Sequence, residues 1–238
     1  MAHHRRPRLP ALVLGSLVSV LVLTGCGGGG SDEPAAKSPA KVMTQAKKNF
    51  DDASSVHLEL STKSTPTSGD GVLGASGDLT QDPAFEGDVK VVINGLTATV
   101  PITSVGEKVY AKLPLQTKYT VIDPTEYGAP DPADFADPDS GLSSLLTQLD
   151  GLKKKGETRN AGQVLTTYTG TLPGTAVKAI IPSAAAGQSY ATSVGVDEKD
   201  YAQTVKITGT FFSGSDSVTY DLLFSKYDGG VKISAPSA

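Results

Sequence analysis

The apolar positions of this chain repeat first with a helical and then with an alternating rhythm. Met43, Ala46, Phe50 and Ala53 fall on one helical stripe, after a Ser38-Pro39 pair suited to an N-cap and a first-turn proline. The spacing predicts an amphipathic helix of about four turns, and the small residues in its stripe suit packing against a sheet. Val56, Leu58, Leu60 and Thr62 then alternate with His57, Glu59 and Ser61, which predicts a strand. The sharpest signal is "VKVVINGLTATV", where Asn94-Gly95 favours a two-residue hairpin turn. That turn sets Ile93 opposite Leu96, Val91 opposite Ala98 and Val89 opposite Val100, all six on one face. Pro101 predicts an edge or a bulge in the second strand. Val109, Ala111 and Leu113 extend the face onto a third strand, with Tyr110 and Lys112 turned away.

Further along, a proline-rich acidic loop leads into Leu142, Leu145, Leu146, Leu149 and Leu152, read as a helix that Asp139 or Ser140 caps. Lys153, Lys154 and Lys155 then occupy its last turn, and Gly156 ends it, as dipole and C-cap preferences favour. Strands are predicted over 163–172, 190–196, 202–212, 217–225 and 230–235, with a short helix over 175–181 stopped by Pro182. About eight or nine strands with roughly three helices predict one α+β domain: a large antiparallel sheet with helices gathered on one face.

The first residues break this pattern. Arg5, Arg6 and Arg8 precede a nearly unbroken apolar run over 11–23, followed by Thr24-Gly25. A basic start, a short apolar run and small residues describe a secretory signal peptide. As a helix the run would reach roughly 20 Å, short of the ~30 Å hydrocarbon core, so a permanent span is the weaker reading. Cys26, the chain's one cysteine, follows directly, and Gly27, Gly28, Gly29 and Gly30 come next. Leu23-Thr24-Gly25-Cys26 resembles a bacterial lipobox, which implies acylation of Cys26 and cleavage before it. The glycines read as a flexible tether. The expected division is 1–25 signal, 26–37 lipidated tether and 38–238 domain.

Charge and composition exclude several functions. The formal charge is -4, and loss of the three signal arginines makes it more negative still. This argues against a nucleic-acid partner and leaves the lipid on Cys26, not charge attraction, to hold the chain at a membrane. One cysteine allows no intramolecular disulfide and no cysteine-based zinc site.

Catalytic groups are sparse. After the signal the chain has one histidine, His57, in a strand beside Glu59, and no nucleophile elbow, HExxH run or phosphate loop occurs. Asp131, Asp134, Asp137 and Asp139 crowd one loop but lack the glycine and distal glutamate of an EF-hand, so they read as a solvated loop. No cofactor is implied. A tethered domain without reactive groups reads as a binder or carrier more than an enzyme; an interaction module of an envelope complex is the alternative.

The apolar face of the hairpin is built of small aliphatics, and large aromatics are scarce. Helical residues Ala46, Ala53, Leu146, Leu149, Ala176 and Ile180 would face it. The lipobox, "SVHLEL" after the first helix, "SGDLTQDP", "GDVKVVINGL", "DPDSGLSSLLTQL" and "LFSKYDGGVKISAP" occur in this order. Together they resemble the LppX/LprG (LppX-LprA-LprF-LprG) family of actinobacterial lipoproteins over essentially the whole chain. The stretch between Asp123 and Pro138 departs from that pattern in its acid and proline content. The resemblance implies a curved antiparallel half-barrel with helices on its concave face, enclosing an apolar cavity for acylated lipids or lipoglycans. It implies transport of such lipids across the cell envelope, often beside a membrane exporter, by a protein anchored on the extracytoplasmic side. It places Val89 on the cavity wall; alternation extends this to Val91 and Ile93, and the facing positions add Ala98, Val100 and Leu146.

Overall fold

The computed structural model describes residues 37–64, 70–93, 95–160, 162–212 and 217–237. The expectations for the signal, Cys26, the glycine tether and Asn94 lie outside them. Eleven strands are described: β1 (Ser55–Thr62), β2 (Gly71–Thr80), β3 (Ala84–Ile93), β4 (Leu96–Val105), β5 (Lys108–Ala111), β6 (Thr120–Ile122), β7 (Asp150–Asn160), β8 (Gln163–Pro173), β9 (Ser189–Val196), β10 (Ala202–Gly209) and β11 (Val218–Ser225). They form one curved antiparallel sheet in the order β6-β5-β4-β3-β2-β1-β11-β10-β9-β8-β7. Two runs of neighbours in sequence, β1 to β6 and β7 to β11, are thus joined where the first strand pairs with the last. Every described element and the hydrophobic core lie within Lys37–Ala238.

Helix α1 (Pro39–Asp52) begins as its sequence predicts. Ser38 accepts a hydrogen bond from the Lys41 N–H, and Pro39 fills the first turn, where its missing donor costs nothing. The helix buries Val42, Met43, Ala46 and Phe50. Phe50 meets Phe224 of β11 edge to face at 5.3 Å between ring centres, which seats α1 over the centre of the sheet. Helix α2 (Gly174–Ile180) buries Ala176, Val177 and Ile180.

The β3–β4 register is the predicted one, with Val89 opposite Val100, Val91 opposite Ala98 and Ile93 opposite Leu96. Pro101 is neither at an edge nor at a bulge. It sits within the regular β3–β4 ladder opposite Asp88. Its carbonyl accepts from the Lys112 N–H on the β5 side. In an antiparallel ladder a residue's N–H and C=O point the same way, so the missing donor also faces β5, where that ladder stops at Ile102–Ala111.

Two predicted elements are different. The leucine helix is a 3-10 turn, Leu142–Thr147, that buries Leu142, Leu145 and Leu146. The lysines that would have closed it belong to β7, an edge strand exposed along most of its length. Gly151, at φ 62, sits where β7 begins, in a left-handed conformation that breaks a helix. Residues 230–235 form no strand: β11 already has β1 on one side and β10 on the other, so no free edge remains beside it.

Candidate functional site

Between the sheet and an overlying segment lies a cavity of about 180 Å³, more than ten times the ~10–15 Å³ that one water molecule needs. Side-chain alternation turns one face of β1 to β5 toward it, and the strand registers arrange the residues of that face in rows across the wall. One row runs Leu58, Gly77, Gly87, Ile102 and Ala111. The next holds Leu60, Ala75, Val89 and Val100. Val91 and Ala98 form a third, and Ile93 closes the wall at the hairpin end, where it is 40% exposed.

The glycines in the first row have a steric reason. Gly77 and Gly87 face each other across β2 and β3, and Phe85 leans over both. A Cβ on Gly77 would come within 2.7 Å of the Phe85 ring; one on Gly87 would lie 2.2 Å from the Ser76 carbonyl oxygen. The paired glycines therefore clear a bed for the one large aromatic ring in that part of the wall.

The overlying segment is built from three Asp-Pro pairs. Asp123 accepts from the Thr125 N–H and starts the 3-10 turn Pro124–Tyr127; Asp131 does the same for Ala133 and the turn Pro132–Ala136. Asp137 accepts from the N–H groups of Asp139 and Ser140, both at 2.8 Å. In the first two turns proline occupies the first-turn position, so the acidic, proline-rich composition is a run of capped turns. Hydrogen bonds from Thr125 hold the Asp123 carboxyl below the usual carboxylate range, and those from Ser140 and Asp139 do so for Asp137. Burial, with the nearby Asp131 and Asp137 charges, raises Asp134. The four aspartates thus serve as turn caps or sit exposed beside them. The Ser104 hydroxyl donates to Asp131 and ties this segment to β4.

This segment, not α1, forms the cavity roof, through Pro124, Tyr127, Ala129, Pro130, Pro132 and Phe135. Prolines suit an apolar ceiling, because they present no N–H that a dry cavity would leave unpaired. Of the residues expected on the wall, Val89, Val91, Ile93, Ala98 and Val100 line the cavity. Leu146 does not; it is buried in the core beside α1, and Leu142 is the leucine of that turn which reaches the cavity. Ala46, Ala53 and Ala176 are likewise core residues, leaving Ile180 as the contribution of α2. Phe85 and the proline roof were missed by sequence reasoning. The symmetric placing of Gly77 and Gly87 about the Asp82-Pro83 turn was the available signal for the first.

Across all twenty-four lining residues there is no charged side chain, and the Tyr127 phenol is the one polar group. His57 lies on the opposite face of the sheet, with Nδ1 2.7 Å from Asp78 Oδ1 across β1 and β2. The cavity therefore offers hydrocarbon contact and, Tyr127 apart, no group able to move a proton.

Residues 38–233 match the LppX_LprAFG lipoprotein family. The chain belongs to that family. Over 244 aligned residues it is 28% identical to a protein named lipoarabinomannan carrier protein LprG from Mycobacterium leprae, covering 98% of this chain and 97% of that one. Two solved structures of LppX_LprAFG proteins share the fold. LprF from Mycobacterium bovis superposes with a TM-score of 0.71 at 18% identity, covering 84% of this chain and 97% of that one. LppX from Mycobacterium tuberculosis gives 0.60 at 20% identity, covering 82% and 98%. The half-open sheet expected from the sequence is thus the fold of this LppX_LprAFG member.

Proposed function

We propose that this protein binds the acyl chains of a lipid or lipoglycan in the cavity beneath β3 and β4 and carries them across the cell envelope. The observation that carries this reading is a lining of twenty-four residues, wall and roof together, without a charged side chain. Each methylene moved from water into such a wall contributes about 0.8 kcal/mol, so a long acyl chain is held by area alone while its polar head stays at the mouth. No covalent step is required. The relative named as a lipoarabinomannan carrier supports a lipoglycan as cargo. Acylation of Cys26 after removal of residues 1–25 would anchor the carrier on the extracytoplasmic side, and the glycines after it would give the domain reach. A membrane lipid exporter is the partner that such a carrier would serve.

The test is extraction of residues 38–238, purified without detergent, followed by mass spectrometry. Bound acyl lipid is expected, and Val89→Trp, which fills the wall, should abolish its uptake. Protein free of lipid that also takes up none from donor vesicles would refute the reading.

A further inference from the structure

Tyr127 belongs both to the cavity and to the solvent. It lines the cavity roof and is 51% exposed, whereas Pro124, Ala129, Pro130 and Phe135 of the roof are half-buried and Pro132 is buried. Its ring therefore stands where hydrocarbon contact gives way to water. The phenol is the one polar side-chain group of the lining. Three other tyrosines spend their hydroxyls inside the protein: Tyr190 donates to the Thr210 carbonyl, Tyr220 to that of Val72 and Tyr227 to that of Ala202. The Tyr127 hydroxyl has no hydrogen-bond partner among the described residues.

The backbone on either side of Tyr127 offers a ligand no donor. The N–H groups of Thr125 and Glu126 are taken by the Asp123 carboxyl and carbonyl, and those of Gly128 and Ala129 by the Thr125 and Pro124 carbonyls. Pro130 and Pro132 have no N–H. Gly128, at φ 65, reverses the chain directly after Tyr127 in a left-handed conformation that glycine adopts without strain, and Ala129 and Pro130 then rejoin the roof. The charged residues of the same turn and of the adjoining β5, Asp123, Glu126 and Lys108, are outside the lining.

We propose that Tyr127 sets how deep the cargo sits: its hydroxyl donates to the carbonyl oxygen of the ester that joins an acyl chain to the head group. The chain then runs inward along the aliphatic wall, and the head group stays outside. An ester carbonyl that enters an apolar site without a donor loses the hydrogen bonds that water gave it. A tyrosine at a boundary between apolar and wet surroundings supplies one while its ring keeps apolar contact. The ligand class selected in this way is the ester-linked acyl lipid, over an alkyl ether of the same length that has no carbonyl. This role rests on the carrier reading and adds to it a means of telling one lipid from another.

Residues 37–238, which contain every described element and the hydrophobic core, are incubated with dipalmitoylglycerol or with its dihexadecyl ether. Each lipid is delivered from cyclodextrin, and its partition onto the protein is measured. The ester is expected to bind about fivefold more tightly, the equivalent of one net hydrogen bond of about 1 kcal/mol. Tyr127→Phe should bring the ester down to the affinity of the ether and leave that of the ether unchanged. Its melting temperature should match that of the unmodified protein, because the phenol has no partner in the fold; a folding defect therefore cannot produce the loss. Equal affinity of the unmodified protein for the two lipids overturns the role of Tyr127 and leaves the carrier reading standing. So does an ester preference that survives Tyr127→Phe, since another group would then make the contact. Uptake of neither lipid by the unmodified protein overturns both.

Discussion

The Tyr220 hydroxyl on β11 donates to the carbonyl of Val72 on β2 at 2.5 Å, reaching past the end of β1. Val72 lies at the register shift of β2 against β3 and lines the cavity. One bond thus fixes an irregular part of the wall to the last strand of the sheet. Tyr220→Phe keeps the ring against Phe211 and removes this bond together with the hydroxyl's interaction with Ser183. It should cost about 1 kcal/mol, with the Val72 carbonyl left unpaired, read as a lower denaturant midpoint at unchanged slope.

Burial pushes the Tyr220 phenol up to about 12 and raises that of Tyr227 as well. A phenol held neutral in the folded state contributes stability that is complete below its unfolded value near 10 and is lost as pH rises through the folded one. The melting temperature should therefore hold up to about pH 9 and fall between pH 10 and 12. Tyr220→Phe should make that fall shallower; an unchanged alkaline profile would contradict the assignment.

Gly87→Ala puts a methyl 2.2 Å from the Ser76 carbonyl oxygen, a backbone atom that cannot step aside. We expect a loss of about 3 kcal/mol, the upper end for overpacking, and displacement of the Phe85 ring into the cavity. Thermal melts read the first effect, and reduced acyl-lipid content in the protein that still folds reads the second.

Asp131→Ala removes both the Ala133 cap and the bond from Ser104 that holds the roof to β4. The expected cost is about 1 to 2 kcal/mol. The cavity should also become more open, seen as increased fluorescence of a hydrophobic dye before global unfolding.

Lys153, Lys154 and Lys155 guard the free edge of β7. Charged side chains keep an edge strand from pairing with another molecule. Replacing all three by Val should raise concentration-dependent light scattering while barely moving the melting temperature.

The β3–β4 hairpin was readable because two short-range rules agree there: a two-residue turn sets the register and strict alternation sets the face. Helix α1 was readable from its cap and stripe. The β7 region misled because Leu142, Leu145, Leu146, Leu149 and Leu152 keep a helical spacing across Gly151, where the backbone in fact turns. Lysines suit a helix C-terminus and an edge strand equally well. β2 carries Gly71, Gly74 and Gly77 and has only Val72 and Thr80 of the β-branched residues that mark a strand. The roof has no period at all. Its Asp-Pro turns are legible one by one, but which face of the sheet they cover is decided by long-range packing.

Leu58 of β1 stands opposite Phe224 of β11. The centre of the sheet is therefore its last part to be synthesised. A chain emerging from its N-terminus can assemble β1 to β6 early, yet β1 keeps a bare edge until almost every other residue has appeared. Loop closure over such a distance makes folding slow, so the time between emergence and completion is a window for mispairing. Ending the chain before Val218 should leave two half-sheets with no seam to join them, and a chaperone acting on this protein would have β1 to shield.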